Sequence, residues 1–239
     1  MELQELRTGP VTCLVGTPRA PAAAVLIVLH GYAMDAGELA PLVCALGLPA
    51  ILYFPRGPHA AQAGGYCWWQ LDEQRRRESI AHGPRDLRDE HPADRAQARA
   101  ALLAVAGHAR GLHPGLPLVI VGFSQGGMLA CDTLLLEELE VQGLILLSSS
   151  CIAMDEWRPQ LQRLQGLPVL VSHGRRDHDL AFAAGEGLRD ALRAGGADVA
   201  WLAFDGGHEV PFAVWRTIRK MVLHISHHNS GASSTLEKS

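Results

Sequence analysis

The chain has 239 residues, 48% of them hydrophobic, and a formal net charge of −4. That length suits one α/β domain with a sizeable core, and the weak negative charge gives no basis for nucleic-acid binding. The acidic start, Met1 to Arg7, has no apolar h-region, and no run approaches the roughly 20 apolar residues of a spanning helix. A cytoplasmic protein with no stable membrane insertion is expected.

In chain order, Val11 to Val15 reads as an edge strand and Ala22 to Leu29 as a buried one running into His30-Gly31. A helix is expected over 36–45, ended by Gly47-Leu48-Pro49, and Ala50 to Phe54 is the next strand, stopped by Pro55. From Arg56 to Pro92 the periodicity fails. Residues 72–95 carry seven acids and six arginines, a near balance that argues for a solvated, lid-like excursion or a surface insertion. An alanine-rich helix follows over 93–110, with Arg95 and Arg99 one turn apart. Strands are then expected at 116–121, 141–148, 167–172 and 198–204, with helices after Gly127 and over 155–164, 181–194 and 211–224. On the helix after Gly127, the residues Asp132, Glu137 and Glu138 read as its polar side. The whole predicts a single domain over 1–225, built on a mainly parallel, doubly wound sheet of about six or seven strands with helices on both faces. Residues 226–239 read as a disordered tail. Five cysteines (Cys13, Cys44, Cys67, Cys131, Cys151) lie mostly in apolar runs and read as reduced, mostly buried thiols. Twelve histidines show no metal-ligand spacing, so no metal is expected.

The chemistry centres on Gly122-Phe123-Ser124-Gln125-Gly126, a G-x-S-x-G motif between an apolar strand and a helix. The turn must be so tight that a Cβ at either flanking position would collide with its surroundings, and the serine backbone is strained. A serine needs a base, itself oriented by an acid. Asp177 follows the strand 167–172, and His208 follows the strand 198–204, in the order that the motif requires. Asp179 is an alternative acid in the same loop; Asp205 reads as a turn residue. The backbone N–H groups of Tyr32 and Gln125 are the candidate oxyanion hole, and His30 reads as structural. Trp68 and Trp69 either wall a pocket or anchor the loop; Met34 is a further pocket candidate.

Together, Leu29-His30-Gly31, Gly122-Phe123-Ser124-Gln125-Gly126-Gly127, His173-Gly174-x-x-Asp177 and Gly207-His208 resemble the acyl-protein thioesterase/carboxylesterase (phospholipase/carboxylesterase) family of α/β-hydrolases. The resemblance implies cofactor-free hydrolysis of small carboxylic esters or thioesters by a monomer or homodimer, with Ser124 as nucleophile, His208 as base and Asp177 as orienter. Three departures bear on the substrate: Tyr32-Ala33-Met34-Asp35 after His30-Gly31, His178-Asp179-Leu180 after Asp177, and the long charged stretch before residue 92. They point to a short- to medium-chain carboxylesterase ahead of an acyl-protein thioesterase or lysophospholipase. A dienelactone-hydrolase-like enzyme is disfavoured by serine in place of cysteine at the elbow. A non-catalytic binding module is disfavoured by an intact Ser, Asp and His.

Overall fold

The computed structural model describes the backbone of residues 1–233. In chain order the elements are β1 (Leu3–Thr8), β2 (Val11–Gly16), β3 (Ala24–Leu29), α1 (Ala36–Cys44), β4 (Ala50–Pro55), β5 (His59–Ala60), β6 (Tyr66–Cys67), α2 (Glu73–His82), α3 (Arg95–Leu112), β7 (Leu118–Phe123) and α4 (Gln125–Leu136). They continue with β8 (Gly143–Leu147), α5 (Met154–Trp157) leading into a 3-10 segment (Arg158–Leu164), β9 (Pro168–Gly174), α6 (Phe182–Ala194), β10 (Asp198–Phe204) and α7 (Phe212–Ser233).

Eight strands form one sheet in the order β1-β2-β4-β3-β7-β8-β9-β10. From β4 to β10 every pairing is parallel; β1 and β2 join antiparallel at one edge. The central strands are apolar at every position because helices cover both faces. In β3, Val25, Ile27 and Leu29 point toward α3, α4 and α6, whereas Ala24, Leu26 and Val28 point toward α1 and α7. This is a doubly wound α/β-hydrolase sheet. It positions the site because every β-to-α turn along the parallel strands opens on the same sheet end.

The eight strands exceed the six or seven expected. β1 leaves no mark in the sequence because it has no apolar face: of its residues only Thr8 is buried. The stretch 56–92 is also more ordered than its sequence suggests, holding the β5-β6 hairpin and α2. Glu73 is the lone buried residue of α2, so the helix has no apolar stripe to read; Asp72 caps it by accepting from Arg75 N at 3.0 Å. The expected tail from 226 is corrected in part: Ile218, Val222 and Ile225 form one buried stripe, and α7 continues through Ser233. Residues 234–239 lie outside the described residues.

Four of the five thiols are buried and Cys44 is partly exposed. Burial pushes Cys13 and Cys67 up to about 11 and Cys151 to about 12. Alkylation at pH 8 is therefore expected to modify Cys44 alone in the folded protein and all five thiols in denaturant. Mass spectrometry that found a second thiol labelled in the folded state would contradict this packing.

Candidate active site

Strand β7 ends at Phe123 and α4 begins at Gln125, so Ser124 is the entire turn between them. Its φ of 52° and ψ of −117° lie in territory that side chains seldom occupy. The glycines explain how the turn is possible. A Cβ on Gly122 would stand 2.5 Å from the Gly126 carbonyl, and one on Gly126 would stand 2.5 Å from Leu29 O. Strand, helix and neighbouring strand therefore touch backbone to backbone. Ser124 N donates to Leu147 O at 2.8 Å, and Ser149 Oγ donates to Ser124 O at 3.1 Å. The strained turn is held on both sides.

Two strands along, the loops after β9 and β10 bring Asp177 and His208 together. His208 Nδ1 donates to Asp177 Oδ2 at 2.7 Å, and the imidazole leans on the Phe123 ring at 5.0 Å, beside Ser124. Asp177 Oδ1 accepts from Asp179 N at 2.9 Å and Leu180 N at 3.0 Å. His173 Nε2, fully buried, donates to Leu180 O at 3.1 Å and lies 3.3 Å from Asp177 Oδ2. Burial alone would push the Asp177 carboxyl up. The hydrogen bonds from His173 and His208 overcome that and hold it well below the usual carboxylate range.

The alternative acids have other partners. Asp179 is gripped by Arg76 and Arg85, one on each carboxylate oxygen. Asp205 is exposed and pairs with Arg176 at 3.1 Å. Of the three acids, Asp177 is the one in contact with His208.

Tyr32 lies in the turn beyond β3, and Gln125 is the first residue of α4, where an N–H has no intrahelical acceptor. His30 is structural, as expected: Nδ1 donates to Gly31 O at 2.7 Å and Nε2 accepts from Gly57 N at 2.9 Å. Burial lowers its pKa, which fits the neutral tautomer that these bonds require. Trp68 stacks on His30 at 5.1 Å and donates through Nε1 to His30 O at 2.9 Å. It is a buried anchor of the loop. Trp69 does line a cavity, of about 310 Å³, together with Leu71, Leu87, Met128 and Ile152, under a rim that includes Arg75, Arg76 and Glu90. Met34 does not line that cavity; its Sδ lies beside Gly31, where an added Cβ would meet it at 3.3 Å and the Phe123 ring at 3.0 Å, and its backbone bridges to Tyr66.

Several contributors carry no local signal in the sequence. The Gln125 side chain accepts from Trp68 N and donates to Trp69 O, both at 2.9 Å, so the helix start holds the loop that carries the cavity wall. His173 was visible only as part of a motif. Arg76 and Arg85 lie about a hundred positions from Asp179, and no local pattern links them.

The model of the phospholipase/carboxylesterase family matches residues 106–228, just over half the chain. The protein belongs to that family, a group of carboxylesterase- and thioesterase-type hydrolases. Its fold is shared by acyl-protein thioesterase 2 of Zea mays, at 18% identity and a TM-score of 0.75, covering 90% of this chain and 98% of that one. Esterase PE8 superposes with a TM-score of 0.74 at 22% identity, covering 94% and 100% of the two chains. A carboxylesterase from Mesorhizobium loti follows at 0.71 and 19%, covering 92% and 98%. No curated protein sequence matches the chain. None of the described helices is long and apolar enough to cross a membrane.

Proposed function

We propose that this protein is a serine carboxylesterase that hydrolyses short- to medium-chain carboxylic esters through an acyl-serine intermediate. The observation that carries the reading is the 2.7 Å bond from His208 to Asp177, with the same imidazole packed on the residue next to Ser124. Asp177 fixes the ring so that Nδ1 keeps its proton and Nε2 is left as the base. No hydrogen bond joins Ser124 Oγ to His208 Nε2 among the described residues; catalytic contacts of this kind often tighten only in the Michaelis complex.

Ser124 Oγ attacks the ester carbonyl as His208 takes its proton. The N–H groups of Tyr32 and Gln125 receive the developing oxyanion. His208 then protonates the leaving alcohol, and water, activated by the same imidazole, releases the acid. The cavity beside Trp69 and Met128 receives the acyl chain. Its volume of about 310 Å³ sits at the low end of the roughly 300–1,000 Å³ usual for ligand pockets, which favours shorter chains.

The test is hydrolysis of p-nitrophenyl esters from acetate to palmitate. kcat/KM is expected to peak at short to medium chains and to fall toward long ones. A rise toward long chains would replace this reading with a thioesterase or lysophospholipase. Absence of turnover at every length, with no labelling of Ser124 by a phosphonate, would leave a binding module.

A further inference from the structure

We infer that Arg76 and Arg85 form a clamp on Asp179 that positions the acid–base pair and joins it to the oxyanion loop. The inference rests on the serine-esterase reading above. Asp179 occupies a place where the chain departs from its family resemblance, and both oxygens of its carboxylate are taken: Oδ2 by Arg76 from α2, Oδ1 by Arg85 from the loop after it. All three side chains are largely withdrawn from water, at 25%, 12% and 18% exposure for Arg76, Arg85 and Asp179. Screening is correspondingly weak, and the two guanidinium groups hold the Asp179 carboxyl below its ordinary range against the opposing effect of burial.

The backbone reinforces the side chains. Arg85 N donates to Asp179 O at 2.9 Å and Ala181 N donates to Arg85 O at 2.8 Å, so residues 179–181 are zipped to the excursion. The N–H groups of Asp179 and Leu180, within that zipped segment, are the ones that hold Asp177 Oδ1. A continuous line of contacts then runs from α2 through Asp179 and Asp177 to His208. The other end of the clamp reaches the oxyanion loop. The Arg76 guanidinium lies over the Tyr32 ring at 5.7 Å from its centroid. Glu73, also on α2, lies near the Tyr32 hydroxyl without a hydrogen bond to it; burial first, then this carboxylate, pushes the phenol up to about 12. Helix α2 thus braces both the residue proposed to donate to the oxyanion and the loop that orients the base. On this inference the excursion, which reads in sequence as either a lid or a surface insertion, is a buttress.

A misplaced base or donor costs transition-state stabilisation more than ground-state binding. Asp179→Asn, which keeps the shape but gives up the charge, is expected to lower kcat about tenfold or more with KM held within about threefold. Arg76→Met is expected to do the same, and the double variant to be no worse than the weaker single, because the two side chains act as one unit. Arg76→Lys keeps a charge without the fork and should recover part of the rate. Folding is followed by circular dichroism; if Asp179→Asn does not accumulate as folded protein, Arg76→Lys carries the test, with a threefold or larger fall in kcat expected. Folded variants with kcat within twofold of the parent, or a loss confined to KM, would overturn the clamp. Ser124→Ala runs alongside. Inactivity there with undiminished Asp179→Asn would sink the clamp alone, whereas turnover in Ser124→Ala would sink the esterase reading beneath it.

Discussion

Ser124→Ala is expected to fold as the parent does and to lose about 10³-fold or more in kcat, equivalent to roughly 4 kcal/mol of transition-state stabilisation. The substitution is unusually clean at this position. The strain at Ser124 comes from a φ of 52° with a Cβ present, and alanine keeps that Cβ, so the turn is neither relieved nor worsened. The hydrogen bonds that hold the turn, from Ser124 N to Leu147 O and from Ser149 Oγ to Ser124 O, do not involve the hydroxyl that is removed. Donors at Tyr32 and Gln125 would remain, which is why some rate above the uncatalysed reaction should survive. Steady-state kinetics on the preferred p-nitrophenyl ester, with phosphonate labelling as a second readout, decides the matter. Near-normal turnover, or labelling that persists in the variant, would remove Ser124 from the role of nucleophile.

The second large effect falls on stability. Asp132 is fully buried on α4 and accepts three charged or polar donors: Arg95 at 2.9 Å, Arg99 at 2.7 Å and Trp157 Nε1 at 2.7 Å. It ties α3, α4 and α5 together away from solvent. Asp132→Ala would leave two guanidinium groups, with side chains only 10% and 14% exposed, without the carboxylate between them, each holding one remaining acid (Glu156 at 2.6 Å for Arg95, Glu137 at 2.8 Å for Arg99), and would strip the buried Trp157 Nε1 of its acceptor. Removing one partner of such a buried arrangement costs about 3–5 kcal/mol, or roughly 6–20 °C in Tm for a chain of this size. Thermal unfolding of the variant measures this directly. A loss under about 1 kcal/mol would mean that the network contributes no more than surface pairs do.

Asp132 also shows where sequence reading stops. Its spacing on the helix assigned it to a polar side. Periodicity reports which residues share a face; it does not report whether arginines from another helix wait there to bury it. The parallel strands were legible because burial on both faces writes an unbroken apolar run such as Ala24-Val25-Leu26-Ile27-Val28-Leu29. The positions of Ser124, Asp177 and His208 were legible for a related reason, since each stands just past the end of such a run. β1 and α2 were not legible. One is an edge strand with a single buried residue, and the other is a helix held by a cap and ion pairs. The sequence favours Asp177 over Asp179, but the contacts that separate them, His208 on the one and two arginines on the other, are not written there, because two carboxylates two positions apart differ only in what reaches them through space. The two tryptophans divided for the same reason, one going under the elbow and the other to a cavity wall.

The strands leave the ribosome in sequence order, which is not their order in the sheet. Strand β3 sits at the centre, between β4 and β7, and Leu26 lies opposite Val119. These two residues are separated by 93 positions (119 − 26), so at about 5–20 residues per second the wait between them lasts roughly 5–20 s. During that interval β1, β2, β4 and β3 have one another as partners, but the β3 edge that β7 will cover has none. Closing so long a loop is slow, and an open apolar edge invites pairing with other chains. Completion of the sheet is therefore expected to wait on the synthesis of β7, the strand that leads into Ser124. The segment that completes the strained turn at Ser124 is also the one that seals the sheet.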